Sequence, residues 1–300
     1  MNTIPIRTAA APAVAPRWRT VVSVFKLRIG VLIMLTALAG LAISPAAAPA
    51  PWQVLLMALA VLLASASAGA FNQFVEADSD RLMKRTRTRA FASGALHAGP
   101  GWMALIVALL ALAVGATWLA LNGVAATFLF LGAFTYAVVY TLALKRRTWL
   151  NIVFGGLSGS FAVLTGAAAA DPTIGTLPML LALVLFLWTP PHFWSLAIAN
   201  RDDYAAAGVP MLPVVMGVPR AARIVHANTV LLVAASLLPA FFGAGPAYLA
   251  AALLGGAHFL RRTHRLARDP QRGNAMRAFF ASMVQLAVLV AGVAVDAALR

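Results

Sequence analysis

Apolar runs of about 20 residues, the length that crosses a ~30 Å hydrocarbon core as helix, follow one another almost without interruption along this chain. A soluble fold cannot bury that many. The hydrophobic fraction is 62% and the charged fraction 10%, against roughly 45–50% and about 25% in soluble domains. The pattern predicts an all-α polytopic membrane protein with nine spans, at about 21–43, 52–75, 101–121, 124–144, 150–169, 176–198, 222–242, 245–260 and 275–297. The first 20 residues lack the apolar run of a signal peptide. They read as a short disordered cytoplasmic tail, ahead of a single domain over 21–298. With no cysteine, disulfide and thiolate-metal chemistry are excluded.

The formal charge of +15 raises nucleic acid as a partner, but its distribution argues for topology instead. With the N-terminus inside, the alternating linkers place every one of the 23 Lys and Arg residues except Arg300 on the cytoplasmic side. That is the positive-inside pattern. The outer linkers are short and bland, so the chemistry is expected at the cytoplasmic face.

Acidic residues are scarce, and five of the eight sit in two places. The first is FNQFVEADSDRLMKRTRTRAFASG, 71–94. Asn72, Glu76 and Asp80 recur at i, i+4 and i+8, which puts them on one helix face; Asp78 points elsewhere. Three oxygen donors on a face at a helix end suit a hard cation such as Mg²⁺. The same residues also suit a solvated helix end that neutralises the adjoining arginines. Lys84 and Arg85 are placed to reach phosphate oxygens, whereas Arg87 and Arg89 read as topology anchors.

The second place, TPPHFWSLAIANRDDYAAAGVPMLPVV, ends the sixth span and holds Asp202 and Asp203 beside Arg201. Two acidic clusters at one membrane face suggest a site for one or two divalent cations with an anion between them. Pro190 and Pro191 are expected to kink the span and free backbone carbonyls. His192 is a core residue, a base or a ligand. AAAGVPMLPVV reads as a lid over the site.

These segments, with LKRRTWLNIVFGGLSGS, resemble the UbiA superfamily of intramembrane prenyltransferases, and within it the protoheme IX farnesyltransferase (heme O synthase) branch. The resemblance spans roughly residues 20–298. FKLRIG stands where that branch commonly reads Lys-Pro-Arg, with Lys26 and Arg28 kept. Leu196 and Asn200 stand where other members often carry polar or acidic residues. The charge alternation over nine spans puts the C-terminus outside. The resemblance implies a helical bundle around a central cavity open at the cytoplasmic side, in a bacterial inner membrane. It implies farnesyl diphosphate and heme b as substrates, Mg²⁺ as cofactor, heme O as product, and an onward route through a heme A synthase or oxidase assembly factors.

On this reading Asn72, Glu76, Asp80 and Asp203 are metal ligands and catalytic residues, and His192 is a heme contact or catalytic residue. Lys84, Arg85, Lys145, Arg146, Arg201 and Asp202 bind substrate. Phe71, Phe74, Phe193 and Trp194 are available to shield an allylic cation. An aromatic acceptor such as a hydroxybenzoate, or a transporter without chemistry, are the competing readings.

Overall fold

The structure, a computed structural model, describes residues 17–300. The expected tail therefore lies outside the described residues as far as residue 16, and from Arg17 the chain is already helical. Among the described residues there is no strand.

The helices are α1 Arg17–Val24, α2 Leu27–Ile43, α3 Pro51–Val75, α4 Ala77–Arg81, α5 Pro100–Ala120 and α6 Gly123–Phe134, which runs on as a π-helix over Thr135–Leu144. They continue with α7 Asn151–Gly155, α8 Leu157–Ala170, α9 Thr176–Ala199, α10 Arg201–Ala206, α11 Leu212–Met216, α12 Val218–Phe241, α13 Pro246–Arg268 and α14 Arg272–Ala298. Each expected span has a helical counterpart. The count of nine, however, is not confirmed by length and apolarity. Among the described residues seven helices qualify, or eight if α1 and α2, bent by 42°, form one span. The helix that falls short is α13, whose last turns carry Arg261, Arg262, Arg265 and Arg268.

In lipid, helices gain little from burying apolar surface against each other, so close approach and interhelical hydrogen bonds matter more. Both are present. Where α2 crosses α8, a Cβ on Gly40 would collide with the Val163 backbone and one on Gly166 with the Ala37 carbonyl. Gln53 donates to the Ala120 carbonyl at 2.7 Å, Ser67 to Ile106 at 2.7 Å, and Ser160 to Ala182 at 2.8 Å. Large apolar side chains such as Leu119, Phe241 and Leu254 point outward, as a lipid-facing surface requires.

Pro190 and Pro191 lie inside α9, which is helical through both. Pro191 has no N–H for the Leu187 carbonyl. The Asn228 amide on α12 takes that place, donating to it at 2.8 Å. The expected lid is instead a packed cap: Val209, Met211 and Leu212 are fully buried between α10 and α12. Gly208, with φ +66°, makes the left-handed turn that folds α11 back.

Candidate active site

The acidic face survives a break in the helix that carries it. α3 stops at Val75, and Glu76 is the joint before α4. The i to i−4 ladder nevertheless continues, Glu76 N to Asn72 O at 3.1 Å and Asp80 N to Glu76 O at 2.9 Å. Asn72, Glu76 and Asp80 therefore stay in line, and all three are buried. Asp78 is exposed and pairs with Arg81.

Each of the three oxygen-bearing groups faces a cation. Lys145 Nζ lies 2.5 Å from both Glu76 carboxylate oxygens. Lys26 Nζ donates to Asn72 Oδ1 at 2.5 Å, while the Asn72 amide donates to Glu76 Oε2 at 2.7 Å. Arg89 Nη1 holds Asp80 Oδ2 at 2.7 Å. The other Asp80 oxygen, Oδ1, is buried and has no partner among the described residues. Ion pairs this deep offset a desolvation cost that neither charge bears alone. Burial lowers the Lys145 ammonium below the ordinary lysine range, and the Glu76 carboxylate opposes that shift.

The lysine side chains are aimed by unusual backbone. Lys26 sits between α1 and α2 at φ 49°, ψ 40°, a left-handed conformation that a β-carbon disfavours. It turns the ammonium toward Asn72 and to within 3.4 Å of Tyr136 Oη. The π-helix has a wider turn than an α-helix. Its period brings Tyr136, Tyr140, Thr141 and Lys145 to the cluster together. Tyr136 and Tyr140 stack at 5.6 Å, and Thr141 Oγ1 accepts from the Asn72 amide at 3.1 Å while donating to the Tyr136 carbonyl at 2.8 Å.

The second acidic segment meets the first through the chain after α4. Asp203 Oδ2 accepts from Arg85 N at 3.4 Å, and the Arg85 guanidinium donates to Tyr204 Oη at 3.4 Å. Burial raises the Tyr204 phenol, with Arg85 acting against it. Arg146 donates to Ser79 Oγ. Arg201 and Asp202 are exposed and pair with each other, and Lys84 is exposed. His192 is apart from the ionic cluster: its contacts are Ser282, Trp188, Phe193 and Phe279. Of the aromatic residues expected to line the site, Phe74 packs against Phe91, Trp194 against Trp149 and Phe193 against His192.

A buried cluster of carboxylates and cations at one end of an apolar bundle is the setting for an anionic substrate. The profile of the UbiA prenyltransferase family matches residues 33–284. This chain belongs to the UbiA prenyltransferase family. Among curated relatives, protoheme IX farnesyltransferase 2 of Paramagnetospirillum magneticum is 57% identical over 93% of this chain and 96% of its own length. Protoheme IX farnesyltransferase of Frankia alni is 38% identical over 93% of this chain and 98% of its own. Solved structures agree on the fold. Digeranylgeranylglyceryl phosphate synthase superposes with a TM-score of 0.78 at 18% identity, covering 95% of this chain and 99% of its own. A UbiA homologue of Archaeoglobus fulgidus bound to DMAPP and Mg²⁺ does so with a TM-score of 0.71 at 15% identity, covering 93% and 100%.

As a UbiA enzyme the protein is an intramembrane prenyltransferase. Its sequence hid several site residues. Arg89, expected as a topology anchor, is instead the counter-charge of Asp80. Lys26 was visible only as a retained charge, and Tyr136 and Tyr140 gave no signal, because an α-helical period does not align them with Lys145.

Proposed function

We propose that this enzyme transfers the farnesyl group of farnesyl diphosphate to a vinyl group of heme b, giving the hydroxyethylfarnesyl substituent of heme O. The observation that carries this is the 57% identity, over nearly both whole chains, with a protein named protoheme IX farnesyltransferase. The ionic end of the bundle supplies fitting chemistry.

Asn72, Glu76 and Asp80 fit Mg²⁺: their donors are hard oxygens, and Asp80 Oδ1 is buried without a partner. When bound there, the ion supplies positive charge against the charge that builds on the departing diphosphate. Lys26, Lys145 and Arg89 lie against the same three side chains and present donors to phosphate oxygens. Arg85 and Arg146 border the cluster and extend it. Asp203 holds the chain at Arg85, which positions that guanidinium.

The carbon–oxygen bond to diphosphate breaks with its electron pair leaving on oxygen. The allylic cation adds to the terminal vinyl carbon. The resulting cation next to the porphyrin takes up water, which loses a proton. The stacked Tyr136 and Tyr140 rings and the apolar bundle keep water away from the first cation and favour it by cation–π contact. In the membrane we place the N-terminus in the cytoplasm and the C-terminus outside, in a bacterial inner membrane.

The test offers the purified protein farnesyl diphosphate with either heme b or 4-hydroxybenzoate. Heme O with no prenylated phenol is expected. Prenylated phenol without heme O would overturn the assignment.

A further inference from the structure

His192 takes no part in the ionic cluster, yet its surroundings are more ordered than packing requires. We propose that His192 ligates the iron of the heme substrate through Nε2, with Ser282 as the positioning residue that sets the ring for it. This rests on the proposed function, since it takes heme as the acceptor.

The hydrogen-bond chain decides which nitrogen is free. Ser282 Oγ lies 2.6 Å from the Phe279 carbonyl oxygen. A carbonyl only accepts, so the single hydroxyl hydrogen is spent there. The same Oγ lies 2.7 Å from His192 Nδ1. With its hydrogen committed, Oγ accepts, and Nδ1 must carry the ring hydrogen. The lone pair is therefore on Nε2. Among the described residues that nitrogen has no hydrogen-bond partner, and it is not fully enclosed. His192 keeps 8% of its surface exposed. A nitrogen lone pair presented in this way, with the opposite ring N–H tied down, is how metal-ligating histidines are held.

The ring cannot readily turn away. Trp188 stacks on it at 4.2 Å and 19°, Phe279 at 4.6 Å and 28°, and Phe193 meets it edge-on at 5.0 Å. Trp188 is fixed in turn by its indole N–H, which donates to the Ser282 carbonyl at 2.9 Å. One residue, Ser282, thus anchors both the histidine and the ring beside it. The depth also fits. From His192 to Asn200, at the cytoplasmic end of α9, the helix rises about 12 Å at ~1.5 Å per residue. Iron held at that depth would lie about two helical turns from the start of α10, which carries Asp203.

The experiment titrates hemin, and separately iron-free protoporphyrin IX, into purified wild type, H192F, H192G and S282A, reading the Soret band. H192F keeps an aromatic ring in the stack and removes only the nitrogens. Wild type is expected to show the shifted band of histidine-ligated heme. H192F and H192G should lose it and bind hemin at least about 10-fold more weakly, with iron-free porphyrin bound as in wild type. Added imidazole should restore the band in H192G. S282A should keep the band with hemin affinity reduced about 10-fold, the usual effect of losing such a partner. A wild-type spectrum in H192F overturns the inference, as does an equal loss of hemin and iron-free porphyrin. Heme O formation is measured in parallel. If wild type ligates heme but makes none, the transfer reading fails and the ligation stands. If wild type makes heme O while H192F keeps the shifted band, only the ligation fails.

Discussion

Asp80 is fully buried, with one oxygen held by Arg89 and the other unpartnered. Removing the arginine would leave a buried charge with no counter-charge, which costs about 3–5 kcal/mol. Arg89→Ala is therefore expected to lower unfolding stability by that order and to abolish turnover, whereas Arg87→Ala, at an exposed position two residues away, should change neither. Equal effects of the two in thermal melts and product assays would contradict the structural distinction. Lys145 gives a pH signature. Burial lowers its pKa, so raising the pH discharges it before an ordinary lysine. Activity should fall on the alkaline side below the usual lysine range, and Lys145→Arg should move that limb to higher pH. A limb unmoved by the substitution would show that another group sets it. At this scale the acidic face was legible because carboxylates are rare and their i, i+4, i+8 spacing survives the break at Glu76. Of the cations, Lys145 was expected at the site, whereas Lys26, from another stretch of chain, and Arg89, nine residues after Asp80, look like any other base of the positively charged linkers.

At the scale of elements, the apolar runs located the helices, but what joins the helices was less visible. The α2–α8 crossing depends on Gly40 and Gly166, each against the opposite backbone. Gly166→Val should force these helices apart and destabilise the protein, read as a melting temperature several degrees lower and as loss of prenyl transfer. A variant as stable as wild type would mean the crossing is not close-packed. The π-helix over Thr135–Leu144 and the left-handed Lys26 have no compositional signature, and both aim site residues. Asn228 meets the carbonyl that Pro191 frees, and the segment expected as a lid is held in place by Met211 and Leu212 among apolar partners. Proline and glycine in sequence mark where the ladder breaks; only the fold shows what fills the gap.

At the scale of the molecule, charge asymmetry predicts sidedness, and the absence of native cysteine makes it measurable. A cysteine placed at Arg87 should react with a membrane-impermeant maleimide only from the cytoplasmic side, and one at Thr173 only from the opposite side. Reaction of both from the same side would contradict the alternation. The count of nine spans was less legible because α13 is half apolar and half basic, and neither length nor composition decides where it leaves the bilayer. The proposed mechanism is that the ionic end of this bundle drives prenyl transfer to heme with a divalent cation. It is tested most directly by incubating purified wild type and Asp80→Ala with heme b and farnesyl diphosphate, with Mg²⁺ or with chelator, and quantifying heme O by mass. Heme O is predicted from wild type with Mg²⁺ alone, and a loss of at least about 10²-fold in the variant, the scale of removing one electrostatic stabiliser. Heme O formed equally with chelator, or at the wild-type rate by Asp80→Ala, would contradict it.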